Sequence, residues 1–245
     1  MKRIVIIFFL FLNLLAQEKQ EKITIGTGIY SQTQPYKGVQ ELLLPSPIIF
    51  FDNSIFYMRW TRVGLYFLGE KEENYAWAFS LTVMPRTYGY STQDIEGMQE
   101  RKSSWEGGLS FSGKLKNSYI EIMLLTDILD RSDTYVIKTD IGYEFKIANF
   151  TFYPSLNITY QSSSFTNYYY GVEKTEIMNN RVHYIANSGY QLGVQTYIEY
   201  PITQKFSTFI NLKVDKLSNE AQNSPLVIDK YIYSGLLSFI YTFHY

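Results

Sequence analysis

The sequence predicts an all-β protein, a transmembrane antiparallel up-and-down β-barrel made of one domain. Apolar and polar residues alternate with a period of two along most of the chain, as in strands with one wet and one apolar face. Several alternating segments, such as 133–147, are far longer than the roughly 5–6 residues of soluble strands. Aromatic residues make up 18% of the chain and gather at strand ends, which is typical of the girdles of outer-membrane barrels.

The composition excludes several classes of protein. The 245 residues include no cysteine, which removes disulfide frameworks, thiolate metal sites and lipidation of an N-terminal cysteine. The formal net charge of -1 gives no electrostatic footprint for nucleic acid, so we expect no nucleic-acid partner.

The N-terminus has the order of a secretory signal. A basic start, Met1–Arg3, precedes the apolar run Ile4–Leu12 and a small residue, Ala16. The apolar run is shorter than the ~20 residues that span a bilayer. We therefore expect residues 1–16 to be a cleaved signal peptide and residues 17–245 to form one exported barrel domain.

Four candidate strands lie in the N-terminal third, at 22–32, 43–51, 54–60 and 62–69. Asp52 and Asn53 form a tight turn between the second and the third. Pro45 and Pro47 fit the entrance of a strand rather than a central ladder position. Taking all four as strands gives a barrel of twelve, and ten strands is the alternative.

The next four strands are predicted at 74–86, 103–116, 118–129 and 133–147. In the last of these, the odd positions from Tyr135 to Ile147 are apolar apart from Thr139, and the even positions carry all of the charges. Tight turns follow 103–116 and 133–147, and we place both turns in the periplasm because short turns of such barrels lie there.

The last four strands are predicted at 150–164, 184–200, 205–217 and 229–245. The final strand ends on aromatics at alternate positions, namely Phe239, Tyr241, Phe243 and Tyr245. Such an ending resembles the signal that outer-membrane barrels present to the barrel-assembly machinery, which we therefore expect as a partner. The long segments 87–102, 165–183 and 218–228 then fall on the outside.

The sequence contains no recognisable catalytic site, and we expect the protein not to be an enzyme. The two histidines, His183 and His244, are predicted at opposite ends of the barrel, so they cannot share one acid–base or metal site. We also expect no cofactor and no metal.

Charged residues of both signs are predicted on the inward face of the strands. If they pair, they fill and stiffen the lumen; if they do not, they line a pore. The sequence leaves both alternatives open for these residues, which are Glu106, Lys114, Lys138, Asp140, Glu144, Lys146, Glu199, Lys213 and Asp215.

A series of motifs resembles the MipA/OmpV family of outer-membrane proteins, in order and over nearly the whole exported chain. The motifs are Pro35–Gly38, Leu44–Phe50, Glu100–Ser103, Asn167–Val172, Leu217–Glu220 and Ser224–Val227. The resemblance implies an outer-membrane location among lipid and lipopolysaccharide. It also implies a non-enzymatic scaffold for murein (peptidoglycan) enzymes, with a lytic transglycosylase and a penicillin-binding protein as partners. A small porin-like channel for solutes or ions is the alternative.

One family motif stands outside the predicted strands. It is the run Tyr168, Tyr169, Tyr170, Gly171 and Val172. Tyrosine is enriched at protein interfaces, so the run is a candidate contact surface for a partner. The other interpretation is that the run packs over the mouth of the barrel, and the sequence leaves both open.

Overall fold

The computed structural model describes residues 22–87 and 89–244, with the backbone alone described for His244. The predicted signal peptide and Tyr245 lie outside this range. The described residues form a closed antiparallel barrel of twelve strands, which confirms the predicted fold class and the preferred strand count.

The strands follow one another around the barrel in chain order. They are β1 (Lys22–Gln32), β2 (Leu42–Asp52), β3 (Phe56–Arg59), β4 (Arg62–Lys71), β5 (Tyr75–Arg86), β6 (Ser104–Leu115), β7 (Ser118–Asp127), β8 (Tyr135–Tyr143, continued by Phe145–Ile147), β9 (Phe150–Gln161), β10 (Gly189–Pro201), β11 (Phe206–Lys216) and β12 (Tyr231–His244). The two parts of β8 keep the same register against β9, so they form one strand.

The barrel closes between its first and last strands. β1 pairs with β12 from Lys22 opposite His244 to Gln32 opposite Ser234. At Gly28 a side chain would overlap the backbone of β12, so the absence of a Cβ allows the two strands to approach closely at this seam.

Alternation along the strands gives the two predicted faces. Outward-facing Ile29 and Leu237 are largely exposed, while inward-facing Ser80, Ser110 and Ser238 are buried. The apolar outer face matches a lipid environment.

The long outer loops contain short helices, and the first of them replaces the end of a predicted strand. The helix α1 (Ser163–Tyr170) begins directly after β9 because the Ser162 hydroxyl caps it, accepting a hydrogen bond from the Phe165 amide. The predicted strand 150–164 is therefore shorter than expected, and β10 starts at Gly189 rather than at 184. A second helix, α2 (Asn219–Gln222), precedes β12. Within the described ranges, no helix is long and apolar enough to cross a membrane.

The wall is incomplete beside the short strand β3 of the β3–β4 hairpin. β2 pairs with β3 only from Phe50 to Asp52. On the same side of β2, the Ile49 carbonyl accepts a hydrogen bond from the Trp60 amide. Residues 42–48, the upper part of β2 toward the outer end, have no backbone partner on this side among the described residues. On its other side, β2 pairs with β1. Pro45 and Pro47 therefore lie within a strand at an open edge, and not at a strand entrance as the sequence suggested.

Candidate functional site in the capped lumen

Four outer loops fold together over the barrel mouth, and we call them the cap (33–41, 89–103, 162–188 and 217–230). Their apolar side chains share one buried core with residues from the upper strands. Its most deeply buried members include Tyr36, Tyr169, Tyr170, Val172 and Leu125. The described loops thus close the outer end of the lumen with a packed core.

The triple-tyrosine run forms the end of α1 and lies mostly inside this core. Tyr169 and Tyr170 are fully buried, Gly171 and Val172 are buried, and Tyr168 keeps part of its surface exposed. The Tyr169 hydroxyl donates to the Lys102 carbonyl at 3.0 Å, and burial raises the Tyr169 pKa to about 12. This placement favours packing over the barrel mouth and leaves Tyr168 as the accessible part of the run.

A buried carboxylate joins two loops of the cap. Both Glu176 carboxylate oxygens accept hydrogen bonds from Arg101 Nη2, at 2.8 and 2.9 Å. The Gln99 and Glu173 amides also donate to it, each at 2.9 Å. Burial opposes ionisation of Glu176, but these amides and the Arg101 charge outweigh it and hold its pKa below the usual value.

Arg101 and Arg181 extend the network from Glu176 into neighbouring backbone. Arg101 Nε donates to the Tyr168 carbonyl at 2.7 Å, and Arg181 donates to the carbonyls of Glu176 and Glu96 at 2.9 and 2.8 Å. Sequence reasoning placed Arg101 in a family motif but gave no role to Glu176 or Arg181. Their loops have no periodic pattern from which burial could be predicted.

Directly beneath the cap, predicted lumen residues form a buried charge cluster. Glu106 pairs with Arg86 and with Lys138, the latter at 2.8 Å. Arg86 also donates to Thr134 at 3.1 Å and to the Tyr169 hydroxyl at 3.3 Å, which ties the cluster to α1. Arg86 was not among the predicted lumen lining. The even positions of β5 face inward, however, and Arg86 is the last of them.

A second charge cluster lies in the lumen beside the β3–β4 hairpin. Arg62 pairs with Glu121, and Arg59 pairs with Asp52 at 2.6 Å. The Arg59 guanidinium lies 4.3 Å from the Tyr57 ring centre. None of these residues was among the predicted lumen lining. β3 is too short to show a clear alternation, and Asp52 was assigned to a turn. Glu121 was missed although it lies on the inward odd register of β7.

The tip of this hairpin contributes an aromatic side chain to the interior. Trp60 Nε1 donates to the Ser46 hydroxyl at 2.8 Å, and its ring packs edge-on against Tyr30. The indole therefore projects into the lumen next to the second charge cluster.

The remaining predicted lining residues lie in the lower lumen and along β11. Lys213 pairs with Asp215 at 2.9 Å, and Lys114 with Glu144 at 3.1 Å. Asp140 and Glu199 are half-buried, and Lys146 is exposed. Charges of the upper lumen are thus buried and paired, whereas those toward the periplasmic end are more open to solvent.

The described part of the chain shows no arrangement suited to a metal. No group of three or more His, Asp or Glu side chains there could hold an ion. The imidazole Nδ1 of His183 lies 2.6 Å from the Val172 carbonyl, so this ring serves as a contact within the cap.

Several known proteins are similar to this chain. The family model described as MltA-interacting protein MipA matches residues 25–243. The putative outer membrane protein YiaT of Escherichia coli K12 is 25% identical over 222 residues, covering 88% of this chain and 89% of YiaT. The MltA-interacting protein of the same strain is 24% identical over 223 residues, covering 89% of this chain and 88% of that protein.

A solved structure, an outer membrane channel from Pseudomonas putida F1, aligns with a TM-score of 0.49 and 9% identity. The alignment covers 95% of this chain and 98% of that chain.

Proposed function

The chain belongs to the MipA family of MltA-interacting proteins and is an outer-membrane barrel, and we propose that it is a non-conducting, non-enzymatic scaffold for murein-acting enzymes. In this proposal it holds such an enzyme at the periplasmic end of the barrel. One relative bears the name MltA-interacting protein, which supports a murein enzyme as partner. A lytic transglycosylase and a penicillin-binding protein remain the proposed partners, and the barrel-assembly machinery the proposed insertion partner.

The observation that carries the proposal is the closed outer mouth. A conducting pore needs an open path, but the cap has a buried core fixed by Arg101 and Glu176. Below it, Glu106 and Arg86 form a pair whose side chains are each 1% exposed. Opening such a path would separate buried ion pairs, and leaving one partner uncompensated is strongly unfavourable.

The periplasmic end offers a different surface. Its connections are short turns whose side chains project into the compartment that contains murein. Exposed charged residues there include Glu72, Glu73, Lys116, Lys146 and Lys205. A rim with both charge signs suits polar, reversible contact with a protein partner.

The proposal is tested by capture of partners from envelope extracts after gentle crosslinking. The wild-type chain should retain a murein hydrolase or synthase, and the rim variant Lys116→Glu with Lys205→Glu should retain much less. The matched control is Lys174→Glu with Lys216→Glu, which reverses two exposed charges at the outer end. Retention of no murein enzyme by the wild type, or equal losses in both variants, contradicts the proposal.

A small channel is the second candidate function. It is favoured by the charged, solvent-accessible residues Lys114, Glu144 and Lys146 toward the periplasmic mouth. Conductance across a planar bilayer separates the two candidates. A folded barrel that stays electrically silent supports the scaffold, and stable unitary currents support the channel.

A further inference from the structure

We propose that the open edge of β2 forms a lateral binding cleft for a phosphorylated glycolipid of the outer leaflet. The ligand class has acyl chains, phosphate groups, and amide and hydroxyl donors, which is the chemistry of the lipid part of lipopolysaccharide. This site lies at the outer end of the wall, and the proposal is independent of the scaffold function.

The cleft exists because the β3–β4 hairpin is too short to cover its neighbours. Its walls are the upper part of β2 on one side and the ends of β5 and β6 on the other, and its volume is about 550 Å³. Leu44 has an inward register like Ser46 and Ile48, both of which are buried. Leu44 itself is 42% exposed, because the adjacent wall is missing beside it.

The lining of the cleft is apolar on the membrane side. Leu42, Leu44, Trp105 and Leu129 contribute to it, and Trp105 and Leu129 are both exposed. An apolar opening in a barrel wall, at a level surrounded by lipid, is filled favourably by hydrocarbon. These side chains therefore suit an acyl chain.

The backbone of the edge selects the polar part of the ligand. Ile49 accepts a hydrogen bond from the Trp60 amide at 2.9 Å, so the odd residues of β2 direct their backbone groups toward the open side. At Pro45 and Pro47 that side has a carbonyl but no N–H. An added peptide strand would find few donors there, whereas a lipid carrying amide and hydroxyl donors complements the bare carbonyls.

Cations stand at the outer end of the cleft. Lys102 and Arg131 line it and are exposed. Lys102 Nζ lies 3.5 Å from the exposed Glu100 carboxylate, and Arg131 Nη1 donates to the Ser103 carbonyl. Arg86 and Arg101, which also line the cleft, are already paired with buried carboxylates. Lys102 and Arg131 are thus the residues suited to bind phosphate.

The test measures lipid binding by native mass spectrometry of the full-length barrel in detergent. Purified lipopolysaccharide is one probe, and dioleoyl phosphatidylglycerol, which has phosphate but no amide or sugar, is the other. Lys102→Glu with Arg131→Glu should weaken lipopolysaccharide binding at least about tenfold, since two charge-assisted contacts are lost. Lys174→Glu with Lys216→Glu, the matched charge control, should leave it unchanged.

A second variant tests the apolar part without changing charge. Leu44→Trp places a larger side chain in the cleft and should weaken lipopolysaccharide binding while heat-modifiable mobility shows an intact barrel. Equal weakening by the two charge-reversal variants would overturn the proposal, as would unchanged binding in Leu44→Trp. Equal affinity for phosphatidylglycerol would overturn the choice of a glycolipid.

Discussion

The buried carboxylate of the cap can be tested by removing its charge alone. Glu176→Gln keeps the size of the side chain but leaves the Arg101 guanidinium without its counter-charge. The Arg101 and Glu176 side chains are 6% and 1% exposed, so solvent screens this change little. Breaking a buried ion pair in this way costs about 3–5 kcal/mol.

The cost should appear as easier opening of the cap, because the pair joins two loops and not the strands below. Hydrogen exchange of the Val172 and Tyr184 amides reports this opening. Each donates to the carbonyl of the other residue, at 2.9 and 3.1 Å. If the cap opens locally, their protection should fall by roughly two to three and a half orders of magnitude, while strand amides stay protected.

Lys102→Met is the matched control, since Lys102 adjoins Arg101 but makes an exposed pair with Glu100. Such a pair contributes about 0–1 kcal/mol, so protection should change little. Combining Glu176→Gln with Arg101→Met should cost less than the sum of the two single changes. A less than threefold change for Val172 and Tyr184 in Glu176→Gln, with a folded barrel, would refute the role given to this pair.

Three further predictions follow from the geometry. After correction for intrinsic exchange, cap protection should be constant near neutral pH. It should fall as the pH drops below 4.5, the usual pKa of a glutamate, and on through the lowered pKa of Glu176 in the folded protein. The reason is that Glu176 stabilises the folded cap only while its carboxylate is ionised. Glu176→Gln should lose this acid dependence. Gly64→Ala should destabilise the barrel by about 1–3 kcal/mol in urea unfolding, since a Cβ there would overlap the Tyr57 ring. Pro45→Val with Pro47→Val should promote edge-to-edge dimers, seen by crosslinking in detergent, because it restores N–H donors to an open strand edge; a strictly monomeric variant would count against the open edge.

The sequence predicted the barrel wall because strand side chains alternate strictly between lipid and lumen. Ile137 and Lys138, for example, show the two environments at neighbouring positions. The tight turns and the aromatic final strand then predicted the strand count, which the structure confirms, and an orientation with the short turns in the periplasm. The same rule places Arg86 on the inward face, because it is the last even-numbered residue of β5.

The cap could not be predicted in the same way. Arg101 and Glu176 are 75 residues apart and lie in loops without periodicity, so their contact depends on how four loops pack together. The family motifs indicated that the loops matter, since Tyr36, Arg101, Tyr170 and Leu226 all come from such motifs. They did not indicate that these residues meet in one buried core and network.

The pairing of β1 with β12 also determines how the chain must assemble. Lys22 and His244 are opposite each other, so the final contact of the wall joins the two ends of the described chain. Contacts this distant in sequence form slowly, because the whole intervening chain must be confined first. Until then, both end strands expose unpaired backbone groups that lipid cannot satisfy. Loss of the last strand would therefore remove the closed barrel as a whole and not merely one-twelfth of its wall.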